Sequence, residues 1–475
     1  MLTPNDLEPD QLKCIAFIDS GEDALVCADV GTGKTVIALT AALRALQSSF
    51  HNGEVKRWLV VAPLLVATDT WSQEPSLWEH LRDIKLAIAC GTAKQRLKAI
   101  ESDAQIVVIN YENLPWLMNH YPRPLKRKGI RPPDPLPFDG LICDEIDKLK
   151  DVSSQRFKAF RERIGIFNKR IGLTGTLIPN KLTEVWGQAY IVDGGQSFGR
   201  SFYKWQREYF YPTDFQQRKW APFPNTRQTI LHALSDLAYR LPAVNLPDVV
   251  VLEPHKMRLP LSIRARYVEL EKNFLLYLDD PTGKQREVEA ANAAVLSGKL
   301  QQIVAGFSYV DRTKDAVWHS KARFDWYDNL YTGLGKQLLV FYHYREELDE
   351  LRRRYPDLHY LGGGVSNKKA RTSIKAWNAG ELPQLALHPA SAGHGLNLQK
   401  SGAHHIAFLT LPWSGGMYKQ VIGRLARRGQ AAKQIYVHTA LFSDTIDETV
   451  FGVVTGKLSG MEDFLNDLEA IGAGN

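Results

Sequence analysis

Along this chain, short unbroken apolar runs alternate with stretches in which apolar side chains recur every three or four residues. The runs are Ala24 to Cys27, Arg57 to Pro63, Ile106 to Ile109, Leu141 to Cys143, Ile171 to Leu173 and Leu338 to Phe341. Their continuity predicts strands covered on both faces, as in a parallel sheet. The periodic stretches predict helices: one through Leu12, Ile15, Ala16 and Ile18, one from Val36 to Leu46, one through Trp71, Glu74 and Trp78, and a longer one through Ile263, Tyr267, Leu270 and Phe274. Strands alternating with helices place the chain in the α/β class. Residues 121–138 carry several prolines and cannot continue a helix or a central strand, so they read as an exposed loop; Asp279 to Gln285 reads as a turn. Phe198 to Phe223 is rich in aromatic and basic side chains; it is expected to form a small local core, with base stacking as the other reading.

The strand ends carry the chemistry. Ala24 to Cys27 runs into Ala28-Asp29-Val30-Gly31-Thr32-Gly33-Lys34-Thr35, and a helix follows. A strand, a glycine turn and a helix N-terminus present backbone N–H groups and the positive end of the helix dipole to an anion. In such a phosphate cradle, formed here by Asp29 through Thr35, Lys34 would reach the β- and γ-phosphates of ATP and Thr35 would hold Mg²⁺. Gln11, shortly upstream, is a candidate for reading adenine, although capping or facing solvent is the simpler role for a glutamine there. Leu141 to Cys143 delivers two adjacent carboxylates: Asp144 would hold Mg²⁺ through water, and Glu145 would orient or deprotonate the attacking water. Thr174 and Thr176 close another strand, and Asn110-Tyr111-Glu112 close a third.

With 475 residues the chain is too long for one ordinary core, so two or three domains are expected. The net charge of +7 favours a polyanionic partner, most simply nucleic acid. Part of that charge lies in the proline-rich loop, where Arg123, Lys126, Arg127, Lys128 and Arg131 either contact nucleic acid or only aid solubility. Cys14, Cys27, Cys90 and Cys143 lack metal-ligand spacing and read as reduced thiols, and no apolar run reaches the length of a membrane span. An intracellular protein with no membrane partner is expected.

Taken together, these residues resemble the first motor domain of a superfamily-two helicase, and more closely a SWI/SNF-type ATPase. Asp144 to Asp151 is similar to that family's Asp-Glu box, with Asp147 in place of the usual histidine, and Leu173 to Asn180 resembles its third motif, with Leu177 where proline is customary. In the second half, Leu338 to Phe341, then Leu361 to Gly364 with Arg371, Trp377 and Asn378, then Ser391 to Leu398, then Gln420 to Gln430, follow the family's order. The resemblance implies two RecA-like parallel-sheet motor domains around an ATP cleft, with helical insertions: 1–190, 319–475, and a helical protrusion and linker over 191–318. It adds Gly395 to the nucleotide site and Tyr111, Thr174, Thr176 and Ser391 to a nucleic-acid site. Gln420, Arg424 and Arg427, spaced by four and three, are expected on one helix face, where the two guanidiniums would meet the γ-phosphate. The implied activity is an ATP-dependent translocase or remodeller on double-stranded DNA, with a separate nuclease or replication or repair protein as a candidate partner. A strand-separating DNA or RNA helicase and an ATP-gated scaffold without turnover are the alternatives.

Overall fold

The computed structural model describes residues 1–21, 23–29, 31–52, 55–122, 136–175, 177–178, 181–241, 246–279, 285–309, 316–388 and 396–456. The chain divides into two compact units, one chiefly Met1–Thr213 with Trp220–Val244, the other chiefly Asn245–Ser459.

The first unit is built on a seven-stranded sheet. Its strands are β1 (Asp23–Ala28), β2 (Trp58–Ala62), β3 (Leu86–Ile88), β4 (Ile106–Asn110), β5 (Gly140–Asp144) and β6 (Lys169–Thr174). After a two-stranded ribbon, β7 (Phe210–Pro212) and β8 (Trp220–Pro222), the edge strand β9 (Ala238–Leu241) completes it. The order is β3-β4-β2-β5-β6-β1-β9, parallel throughout. Every residue of β2, β4 and β5 is buried, which is why these segments read as unbroken apolar runs. In register, Cys27 lies opposite Thr174 and Asp144 opposite Leu173, so the carboxyl ends of β1, β6 and β5 finish side by side.

The helix before β1, Pro9–Ser20, turns a different face inward from the one its apolar residues suggested. Leu12 is 43% exposed and Ala16 is exposed, while Gln11, Cys14, Ile15 and Ile18 are buried. The rotation follows from Gln11, whose amide is satisfied inside the unit and so takes an interior position. Phe198 to Phe223 does form a local core: the helix Phe202–Tyr209 buries Trp205 against Phe198 and Phe210, with ring centres 5.4 and 5.2 Å away.

The second unit holds a parallel sheet of β10 (Asp248–Val251), β14 (Leu338–Phe341), β15 (His359–Leu361), β16 (Gln384–Leu387), β17 (His405–Phe408) and β18 (Gln434–Phe442), in the order β10-β18-β17-β14-β16-β15. β11 (His255–Met257) also pairs with β18, and β12 (Phe307–Tyr309) with β13 (Ala316–Trp318) makes a separate antiparallel ribbon. The periodic stretch around Tyr267 is the helix Leu261–Asp279, which lies beside the helix Gln285–Ala305. Arg323 and Asp447 form a buried ion pair at 2.5 Å, tying the helix Ala322–Leu334 to the segment after β18. The 191–318 interval is thus more than a helical protrusion and linker, because β9 edges the first sheet while β10 and β11 pair with β18 of the second.

Candidate functional site

The glycine turn after β1 has the geometry that its sequence asks for. Gly31 and Gly33 adopt φ of 86° and 87°, the left-handed region that a side chain disfavours. A Cβ on Gly33 would stand 2.4 Å from the Gln11 amide nitrogen, so any larger residue there would also have to displace that side chain. Gln11 donates that amide to the Thr32 carbonyl at 2.8 Å and accepts from the Glu8 N–H at 3.0 Å. In this structure it braces the loop from the helix beneath. Thr32 is buried and its hydroxyl donates to the Asp29 carbonyl at 2.8 Å, closing the turn. The helix Lys34–Asn52 starts directly beyond, and the Lys34 ammonium donates to the Ala28 carbonyl at 2.8 Å.

The carboxylates arrive two strands away. Asp144 ends β5, is buried, and accepts the Trp71 indole N–H at 2.9 Å. Burial, and then the charge of Glu145, raise its pKa, while the Lys34 ammonium and the Trp71 hydrogen bond oppose that rise. Glu145 has left-handed backbone angles, φ and ψ both 56°, which are uncommon outside glycine and set apart a constrained position. Asp147, at the family's histidine position, has a raised pKa for the same two reasons, and its buried Oδ1 has no partner among the described residues.

Two residues expected to meet nucleic acid are elsewhere. Tyr111 is 1% exposed, and its hydroxyl donates to the backbone carbonyls of Asp144 at 2.8 Å and Glu145 at 3.2 Å. It holds the turn that carries the acidic pair, and burial keeps it a phenol by pushing its pKa well up. Thr174 is fully buried at the end of β6 and offers no surface to a polymer. Val30, Thr176, Ser391, Gly395 and the basic residues Arg123, Lys126, Arg127, Lys128 and Arg131 lie outside the described residues. The residue that sequence reading missed is Trp71: helical spacing placed it in a helix, but nothing in that spacing signals an indole N–H aimed at Asp144.

In the second unit the helix Gly415–Ile422 carries Gln420 and stops before either arginine. Arg424 and Arg427 sit in successive turns that follow it, not on its face, because Gly423 and Gly429 flank a segment of short-range hydrogen bonds. The convergence survives this correction. Arg424 and Arg427 both donate to the Leu396 carbonyl, at 3.4 and 3.0 Å, and Arg427 also donates to the Asn397 side chain at 2.5 Å. Trp377 and Asn378 hold the same segment, donating to the carbonyls of Leu398 and Asn397 at 2.9 and 2.8 Å.

The first unit's donors suit a magnesium–nucleotide complex. A glycine cradle lies beside an ammonium, and a buried carboxylate whose ionisation is resisted by burial would be relieved by a cation. The Thr35 hydroxyl makes no hydrogen bond among the described residues, which leaves it able to ligate.

Residues 8–185 match the family model described as DEAD/DEAH box helicase, and residues 323–429 match the helicase conserved C-terminal domain. A protein named "Putative protein p41", from Acyrthosiphon pisum secondary endosymbiont phage 1, is 32% identical over 450 residues, covering 90% of each chain. "Putative ATP-dependent helicase/translocase YwqA" of Bacillus subtilis (strain 168) is 24% identical over 92% of this chain and 46% of its own. The SWI/SNF-related matrix-associated actin-dependent regulator of chromatin subfamily A-like protein 1 of Bos taurus is 24% identical over 91% of this chain and 42% of its own. The chain therefore spans less than half the length of the bacterial and bovine relatives.

Proposed function

Because the chain belongs to the SWI/SNF-type ATPases of helicase superfamily two, we propose that it couples ATP hydrolysis to movement along double-stranded DNA. The observation that carries the proposal is the setting of Lys34 and Asp144 at the carboxyl edge of one parallel sheet, around a turn that only glycine can make.

In this reading the phosphates rest on the backbone N–H groups from Gly31 to Thr35, and Lys34 exchanges the Ala28 carbonyl for the β- and γ-phosphates. Gln11 gives up part of its brace to read adenine. Thr35 and Asp144 would hold Mg²⁺, which would supply positive charge against the phosphate oxygens. Glu145, set by its left-handed turn, orients the attacking water. Arg424 and Arg427 exchange the Leu396 carbonyl for the γ-phosphate, where guanidiniums meet the charge that develops during transfer. Loss of that phosphate releases the arginines, and this release is the step that becomes motion. Strand separation is the second reading, supported by the exposed aromatic side chains of the β7–β8 ribbon. Steady-state ATPase measured in parallel with no polymer, single strands, closed duplex, forked DNA and RNA tests the proposal. Duplex DNA should stimulate most, and stimulation by RNA or single strands alone would overturn it.

A further inference from the structure

Gln188 lies on the helix Val185–Asp193 and is fully buried, yet only one end of its amide is satisfied. Its Nε2 donates to the Leu177 carbonyl at 2.6 Å and to the Glu184 carbonyl at 3.3 Å, two acceptors that fix this end as the nitrogen. Its Oε1 is buried without a partner. Leu177 is fully buried as well, and its N–H makes no hydrogen bond among the described residues. Proline, customary at this position, would bring no N–H; the leucine of this chain adds a donor beside an amide whose oxygen has none. Native folds leave few buried polar groups unpaired, because each costs free energy comparable to a lost hydrogen bond.

The helix that carries Gln188 is held in place from behind. A Cβ on Gly187 would stand 2.9 and 2.8 Å from the Leu149 and Lys150 carbonyls, so the helix backbone rests directly on the turn that follows Glu145, and Glu184 pairs with Lys150 at 3.5 Å. Leu177 instead adjoins the glycine turn. Two residues before it, the space for a Cβ on Gly175 lies 3.5 Å from both the Lys34 ammonium and the Ala28 carbonyl that accepts from it. When Lys34 leaves that carbonyl for phosphate, the packing beside Gly175 changes. We propose that Gln188 is a positioning residue for nucleotide binding: it holds Leu177 by one hydrogen bond while Lys34 is on Ala28, and by two once Lys34 has turned to phosphate, Oε1 then accepting the Leu177 N–H. A carboxamide presents a donor and an acceptor side by side, so it can take the carbonyl and the N–H of one residue together. The inference rests on the reading of the glycine turn as an ATP site.

The test is a double-mutant cycle on the full chain with Leu177→Pro, which removes the N–H and keeps the carbonyl, Gln188→Met, which removes both bonds, and the two combined. Titration with a non-hydrolysable ATP analogue should show Leu177→Pro binding about 2- to 12-fold more weakly, the net contribution of one hydrogen bond. The loss should appear in KM for ATP rather than in kcat, and it should vanish in the Gln188→Met background. Thermal unfolding without nucleotide should show no coupling between the two positions. Wild-type affinity in Leu177→Pro, the same loss in the Gln188→Met background, or a coupling equally strong without nucleotide would overturn the proposal, the last by making the contact a permanent brace. Hydrogen exchange over the peptide spanning Leu177 decides the matter should the proline variant not fold. The analogue should slow exchange there in wild type and not in Gln188→Met, and exchange in wild type that the analogue leaves unchanged would overturn the second bond. A wild type that binds no analogue would sink the ATP reading and this proposal with it, whereas binding that Leu177→Pro leaves untouched would sink the proposal alone.

Discussion

Replacing Tyr111 with Phe removes one oxygen and keeps the ring that fills the space. That oxygen donates to the Asp144 carbonyl at 2.8 Å and reaches the Glu145 carbonyl at 3.2 Å, in a setting where Tyr111 is fully buried. A buried carbonyl stripped of its donor costs about 1–3 kcal/mol. Glu145 already sits in a backbone region that costs about 1–3 kcal/mol and persists only where its surroundings impose it. If the hydroxyl is what imposes it, the productive turn becomes scarcer by roughly 5- to 150-fold. The expected outcome is a fall of that size in DNA-stimulated kcat, with ATP affinity little changed because Lys34 and the glycine turn are untouched. Steady-state ATPase and fluorescent-nucleotide titration measure the two quantities. In a Glu145→Gln background the same substitution should have no further effect on the residual turnover. A kcat within twofold of wild type would refute the reasoning, as would an equal loss in both backgrounds.

Lys34→Ala should abolish turnover and Glu145→Gln should cut it to a small residual rate while still binding ATP, since the lysine charges the phosphates and the glutamate serves only the water; robust ATPase in purified Glu145→Gln would remove that residue from its role. Arg424→Ala or Arg427→Ala should lower kcat by roughly 10³-fold with a smaller effect on nucleotide affinity, and near-normal kcat in both would mean that neither arginine serves the transferring phosphate. Glu350 accepts hydrogen bonds from Lys321, Arg353 and Arg354, and these hold its pKa down at about 2. A depressed carboxyl stabilises the fold fully above its unfolded pKa, near 4.5, and loses that contribution as pH falls toward about 2. Glu350→Gln should therefore lower stability at neutral pH, flatten its pH dependence between those limits and move acid unfolding, followed by circular dichroism, to higher pH; an unchanged stability at neutral pH would contradict this.

The central strands and the phosphate turn could be read from sequence because their physics is local. β2 and β4 are buried on both faces, so their apolar runs need no tertiary information, and the glycines of the turn are required by φ. The edge strand β10 was not legible: most of it is exposed, including Val249, and it exists by pairing with β18, almost two hundred residues on. Tyr111 was misread for a related reason. A tyrosine at a strand end can point out to a polymer or inward to a neighbouring strand, and only the placement of β4 and β5 on either side of β2 decides it. The arginines were legible by residue type but not by placement, since the helix ends at Ile422 and short-range turns carry them. Trp71 carried no local sign of its role, because its partner Asp144 lies 73 residues away.

The most direct measurement is displacement of a third strand from a triplex on an otherwise continuous duplex, followed with ATP, with a non-hydrolysable analogue and with Glu145→Gln. The account expects release with ATP and wild-type protein alone, because movement needs turnover and tracking needs no strand opening. Release without hydrolysis, or vigorous duplex-stimulated ATPase that leaves the third strand in place, would contradict it.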